Sequence, residues 1–281
     1  MKSPQENRQF TCLLEDRCLI KISGADAASF LQDLVSNDVM QVKEGSLTYA
    51  CLLTPQGRFL HDFFISKTTD GFFLECETLR REDLIRRLKI FKLRAKVTIE
   101  DCSGLFNVYV SSESPKGIKA YPDPRLPALG YRFYLSKDEK QPSAISQDTY
   151  RDMRISLCVP EGSADIKPEI DTLADVNLDC LNAVSWTKGC YVGQEITARM
   201  NNRGLVKKRM VVVSGQGLSV GDGLSHNEYP VGDIRSVNSS REKGMAILKL
   251  AVLKDFSAPV ATSGGATVSA YLPEWLSFGD V

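Results

Sequence analysis

Three apolar runs in residues 46–76 constrain the fold most. LTYACLL, RFLHDFFIS and GFFLEC are separated by short links that carry Pro55-Gln56-Gly57 and Thr69-Asp70-Gly71. Gly, Pro and Asp at these positions are turn signals, and links this short join antiparallel neighbours. The chain therefore commits early to a β-meander. Upstream, FTCLL and CLIKI read as two short strands joined at Glu15-Asp16-Arg17. Ala27, Phe30, Leu31 and Leu34 follow at helical spacing, and Ser36-Asn37-Asp38 ends that helix. Downstream, the pattern predicts a helix over about 78–92, with Leu84, Leu88 and Phe91 on its apolar side and Ile85 beside them. Strands KVTIED and LFNVYVS come next.

Residues 111–130, rich in Ser, Pro and Gly, read as loop, YRFYLS as a strand and about 146–156 as a helix. From 205 onward the pattern changes to short strands between glycines, which predicts a small β-barrel or sandwich. The expected organisation is an α+β body over 1–204 and a C-terminal β-barrel domain over 205–281.

Lys+Arg and Asp+Glu both number 35, so no overall field draws the chain to nucleic acid or membrane; polyanion binding needs a local patch. No apolar run approaches the ~20 residues of a membrane span. The start, MKSPQENRQF, lacks a signal-peptide core and is short and mixed in charge for a presequence, so the expectation is a cytoplasmic protein. The eight cysteines include no C-x-x-C and only two histidines accompany them, so no metal site is expected. Most of the cysteines lie in apolar stretches and read as buried thiols.

The chemically dense stretch is 186–204, Trp-Thr-Lys-Gly-Cys-Tyr-Val-Gly-Gln-Glu-Ile-Thr-Ala-Arg-Met-Asn-Asn-Arg-Gly. Gly189 and Gly193 suggest a tight loop that opens into a helix near Gly193 and lets a ligand approach the main chain. Glu195 falls in the first helical turn, where the dipole favours a carboxylate. There it can accept two N–H bonds from a 2-amino-4-oxo pterin edge, or simply pair with Arg199 at i+4 for about 0.2–0.5 kcal/mol. Cys190, ahead of the helix and two residues from Lys188, is either a reactive thiol or a small filler beneath Tyr191.

K-G-C-Y-V-G-Q-E followed by A-R and R-G resembles the signature of the YgfZ-type folate-binding family, relatives of the glycine cleavage T-protein. The lead-in at 175–186 is also similar, as are 52–62, 91–97 and 154–161, where Cys158 stands in place of a usual glycine. The resemblance implies a ring of three subdomains around a central folate pocket, closed by the C-terminal barrel. It implies tetrahydrofolate, or a substituted folate, as cofactor. Lys188, Gly189, Tyr191, Gly193, Gln194, Glu195 and Arg199 would line the site, with Cys190 and Asp62 as its reactive groups.

T-proteins carry two adjacent acids where this chain has His61-Asp62, which weakens the case for aminomethyl transfer. Asp62 either meets the pterin or is a strand-surface acid, and His61 reads as a surface or packing residue rather than a base. The resemblance further implies an accessory role for iron–sulfur enzymes, including tRNA-modifying ones. The alternative is a folate-dependent aminomethyltransferase. Eight cations crowd residues 80–96 (Arg80, Arg81, Arg86, Arg87, Lys89, Lys92, Arg94, Lys96), either as a solvated face or as a dock for a polyanion. Stacking on RNA is the least favoured use, since aromatics are sparse there. Expected partners are the folate and iron–sulfur enzymes, with no membrane, for a monomer.

Overall fold

The computed structural model describes residues 10–203, 206–253 and 257–276. These form two units, each gathered from separated stretches. Unit 1 holds 10–51, 61–150 and 183–191; unit 2 holds 52–60, 151–182 and the described residues from 192 on. The expected domain boundary at Gly204 and the first nine residues lie outside the described residues.

Unit 1 is built on two antiparallel sheets. Its strands are β1 (Thr11–Leu13), β2 (Arg17–Ser23), β3 (Leu47–Leu53), β4 (Phe59–Lys67), β5 (Gly71–Glu77), β6 (Thr98–Asp101), β7 (Phe106–Ser111), β8 (Ala120–Pro122) and β9 (Tyr131–Ser136). The meander forms as expected and is extended to the order β3-β4-β5-β2-β6; the second sheet runs β1-β7-β9-β8. The last residues of β3 and the first of β4 belong to unit 2 together with their turn.

Helix α1 (Ala27–Gln32) buries Ala27, Phe30 and Leu31, and α2 (Arg81–Lys92) buries Leu84 and Leu88. Phe91 departs from expectation. It lies in the last turn of α2 and is 40% exposed. The apolar face ends with Leu88, because the helix stops at Lys92 and the chain turns away there through Leu93.

Helix α3 (Gln147–Ser156) starts in unit 1 and ends in unit 2. Cys158 follows it, buried and with φ +56°, in the left-handed region that glycine adopts freely. That backbone suits the glycine which the family resemblance implies at this position. Burial also pushes the Cys158 thiol far up.

The rest of unit 2 comprises α4 (Gly162–Asp165), α5 (Gln194–Arg203), and β10 (Lys208–Ser214), β11 (Gly223–His226), β12 (Tyr229–Val237), β13 (Lys243–Lys249), β14 (Ser257–Thr262) and β15 (Thr267–Tyr271). These six strands close into a barrel in the order β10-β13-β12-β11-β14-β15. Alternate residues fill it: Val211 and Val213, Ala246 and Leu248, Val268 and Ala270 share one core. Strand β14 escaped the sequence reading because Pro259 interrupts it, and proline within a run argues against a paired strand. Pro259 nevertheless sits in register opposite Ser269.

Candidate functional site

Two stretches noted separately in the sequence meet in unit 2. The β3–β4 turn closes when Gly57 N–H donates to the Thr54 carbonyl at 2.9 Å and Thr54 N–H to the Arg58 carbonyl at 2.8 Å. Gly57 has φ +71° and Gly193 has φ +81°. A Cβ on Gly193 would stand 2.5 Å from the Thr54 carbonyl oxygen, and one on Gly57 would stand 2.8 Å from Cβ of Ile196. Only glycine satisfies both the backbone angle and this approach, so the start of α5 is seated directly on the turn. Thr197 Oγ1 donates back to the Gly193 carbonyl at 3.3 Å, within the first turn. Glu195 and Arg199 are exposed on this helix and Gln194 is half-buried. Among the described residues Glu195 and Arg199 form no ion pair with one another.

In unit 1, the loop 183–191 is held by a lysine. Lys188 is only 8% exposed. Its ammonium donates to three carbonyls, those of Gln32 at 2.6 Å, Val35 at 2.6 Å and Asn37 at 2.9 Å. An ammonium has three donors, so all are committed to carbonyls at the end of α1 and just beyond it. The same ammonium lies 5.1 Å from the centre of the Tyr191 ring. Burial lowers the Lys188 pKa to about 8, against the pull of Asp38 and Asp33.

Ser36 extends the anchoring. Its hydroxyl donates to the Ala183 carbonyl and accepts from Cys51 N–H at 2.8 Å, while its carbonyl accepts from Ser185 N–H at 3.0 Å. Gly189 and Cys190 are left exposed at the end of the anchored loop, and Trp186 is 46% exposed. Nothing lies within 4 Å of where a Gly189 Cβ would be. Cys190 is therefore not a filler beneath Tyr191. Lys188 serves the backbone and has no donor left for a ligand.

Asp62 is neither on a strand surface nor presented to solvent. It is 2% exposed and accepts from the Tyr49 hydroxyl at 3.0 Å, with Arg17 at 3.7 Å. It belongs to a buried network that the sequence reading missed. Glu75 accepts from Arg17 Nε at 3.1 Å, Arg132 Nη2 at 2.8 Å and the Tyr134 hydroxyl at 3.1 Å. Arg132 also reaches Asp123 at 3.3 Å, and Asp123 is held by Arg125 through bonds of 3.0 and 2.8 Å. Three carboxylates and three guanidiniums thus balance inside unit 1, and Arg132 and Arg125 lie 4.0 and 4.8 Å from the Phe64 ring centre. Glu75 is on β5 and Arg132 on β9, so the network ties the two sheets together. The available signal was a charge inside each apolar run, Glu75 in FFLEC and Arg132 in YRFYLS, since charges are buried only when paired.

His61 is buried and its Nε2 lies 3.0 Å from Asp83 Oδ2. Burial, with Arg80 next, lowers its pKa to about 4 despite Asp83. It is neutral near pH 7 and packs in the interior, which decides between the surface and packing readings. Burial pushes the Asp83 carboxyl up, but bonds from Arg87, Arg86 and His61 outweigh it and hold the group well below the carboxylate range.

Residues 17–109 match the GCVT N-terminal domain and 207–278 the CAF17 C-terminal beta-barrel domain. The human iron-sulfur cluster assembly factor IBA57, mitochondrial, is 31% identical over 242 residues, covering 75% of this chain and 68% of the human protein. The chain belongs to the IBA57 family. The IBA57 homolog of Mycosarcoma maydis is 37% identical over 222 residues, which cover 70% of this chain and 55% of that one. Against three fungal IBA57 homologs, the chain spans 55% of the length of each. The glycine cleavage system aminomethyltransferase T from Bartonella henselae superposes with a TM-score of 0.75, covering 97% of this chain and 86% of that one. Their identity is 14%, so this likeness is one of fold.

These relatives correct one expectation. The IBA57 proteins matched are mitochondrial, which points to mitochondria and overturns the cytoplasmic reading. The expectation rested on the composition of MKSPQENRQF, and the lack of a recognisable presequence pattern in so short a stretch does not decide the compartment. Of the eight cysteines, six are buried, Cys180 is half-buried and Cys190 is exposed, all as free thiols. Among the described residues, no helix is long and apolar enough to cross a membrane, and no cluster of three His, Cys, Asp or Glu could hold a metal ion.

Proposed function

We propose that this IBA57-family chain is a tetrahydrofolate-binding accessory protein for the assembly or repair of iron–sulfur enzymes, tRNA-modifying ones among them, as the wider YgfZ-type resemblance implies. Cys190 is its reactive thiol and Glu195 its pterin acceptor. The observation that carries this reading is an exposed Cys190 on a loop whose backbone is anchored by a buried lysine. A thiol held at a fixed point in solvent suits transient contact with a cluster delivered as cargo.

The residues present fit a pterin for recognition. Within unit 2, Glu195 offers an exposed carboxylate in the first turn of α5 and Gln194 an amide beside it. Bound tetrahydrofolate supplies a reduced ring that carries one-carbon units. Residues for aminomethyl transfer fit less well. Asp62 is buried and accepts from Tyr49, which favours the accessory role over the transferase.

Calorimetric titration tests the folate half. Tetrahydrofolate should bind in the micromolar range, about −8 kcal/mol. Glu195→Ala should weaken it by about 1.5–3 kcal/mol, the worth of a hydrogen bond to a charged group. Equal affinity in both proteins removes Glu195 from the site. Cys190→Ala should keep folate binding yet fail to restore iron–sulfur enzyme activities in cells lacking the protein. If Asp62→Asn fails there while Cys190→Ala succeeds, the transferase reading replaces this one.

A further inference from the structure

The cations of residues 80–96 fall into two groups. Around the start of α2 they are committed: Arg80 and Arg87 reach Asp83 at 3.3 and 2.8 Å, Arg86 joins them on the same carboxylate, and Arg81 reaches Asp101 at 2.9 Å. Beyond it, Lys89, Lys92, Arg94 and Lys96 form no ion pair among the described residues, and no acid interrupts 89–96. The acid in closest described contact is Asp26, which accepts from Lys96 N–H at 2.7 Å. Bulky apolar residues alternate with these cations and are turned outward: Ile90 is 59% exposed, Phe91 40% and Leu93 87%.

Leu93 adds a second observation. It ends α2 with φ +42° and ψ −108°, outside the regions that side chains with a Cβ favour. Strain of this kind persists where the surroundings impose it or a function uses it. Here the side chain gains almost no burial in return.

We propose that the exit of α2, residues 89–96, seats on the surface of an anionic phospholipid bilayer. Ile90, Phe91 and Leu93 enter the interface, and the four cations meet the headgroups. Interleaved cations and bulky apolar side chains are the chemistry of interfacial anchors. An apolar knob as exposed as Leu93 needs a shaped pocket on a protein partner, whereas a bilayer accepts it without matching shape. Phe91 is the one aromatic residue in the run, too few for stacking along a nucleic acid strand. The chain's zero net charge does not oppose this, because surface attraction is felt only within about a Debye length of the patch.

Co-sedimentation of the full chain with vesicles tests the proposal, using phosphatidylcholine alone and phosphatidylcholine mixed with phosphatidylglycerol. The protein should pellet with the mixed vesicles and remain in solution with the neutral ones, and added salt should release it. Each cation removed should weaken binding roughly fivefold, so Lys92→Glu with Arg94→Glu should weaken it by more than about twentyfold. Leu93→Asn should lose binding while remaining folded by circular dichroism, since asparagine tolerates positive φ. Equal pelleting with neutral vesicles, unchanged binding by Leu93→Asn, or binding to tRNA or an acidic peptide with none to anionic vesicles would overturn the proposal.

Discussion

Unit 1 buries positive charge in two ways, and the contrast separates scaffold from site. In the network around Glu75, guanidiniums meet carboxylates and every charge is answered by a side chain. Such a cluster sets how two sheets lie on one another and presents nothing to solvent. At Lys188 the ammonium meets only backbone carbonyls. That fixes the path of the loop, and the neighbouring Gly189 and Cys190 are left outside. Buried charge answered by charge gives register; buried charge answered by main chain shapes a display.

The contrast can be broken most sharply at Glu75. Glu75→Ala leaves Arg17 and Arg132 without their shared carboxylate and should cost about 3–5 kcal/mol in chemical denaturation. A loss below about 1 kcal/mol would mean that the network is not a structural tie.

Next in size is a pH effect at His61, a buried group with no counterpart in the loop. Its folded pKa of about 4 lies below the unfolded 6.5. Between these values the unfolded chain holds a proton that the folded chain has released, so stability rises with pH through this window. On falling from pH 6.5 to 4 the fold should lose on the order of 3 kcal/mol, the free energy of a shift this large. His61→Asn should flatten the profile in that window, and an unchanged profile would assign the dependence to other groups.

Lys188→Met gives the smallest loss and the most informative one. Three carbonyls lose their donor, for about 1–3 kcal/mol. Cys190 should then react with iodoacetamide at a changed rate, because its loop is no longer pinned. Glu75→Ala, destabilising as it is, should leave that rate alone under native conditions. If the two variants exchange these behaviours, the division between scaffold and display fails.

The elements that local pattern encodes were legible. The meander, α1, most of α2, α5 and five of the six barrel strands follow from periodicity and turn residues. Pro259 hid β14, and Phe91 was placed inside because helical spacing does not say where the core stops. The K-G-C-Y-V-G-Q-E stretch nominated the candidate site, but residue types did not say which of its side chains face inward. Lys188 looked like a ligand contact and is a backbone clamp; Asp62 looked like a surface or pterin acid and is an internal acceptor.

Local order and turn positions were settled by the amino-acid sequence alone, since each depends on neighbours within a few residues. Partnership was decided only by the tertiary structure. Glu75 meets Arg132 from 57 positions away, Lys188 meets Gln32 from 156, and Gly57 meets Ile196 across the loop. Whether a charged side chain is buried, and what answers it, depends on which distant strand or loop the fold brings within about 3 Å, and local periodicity carries no record of that distance.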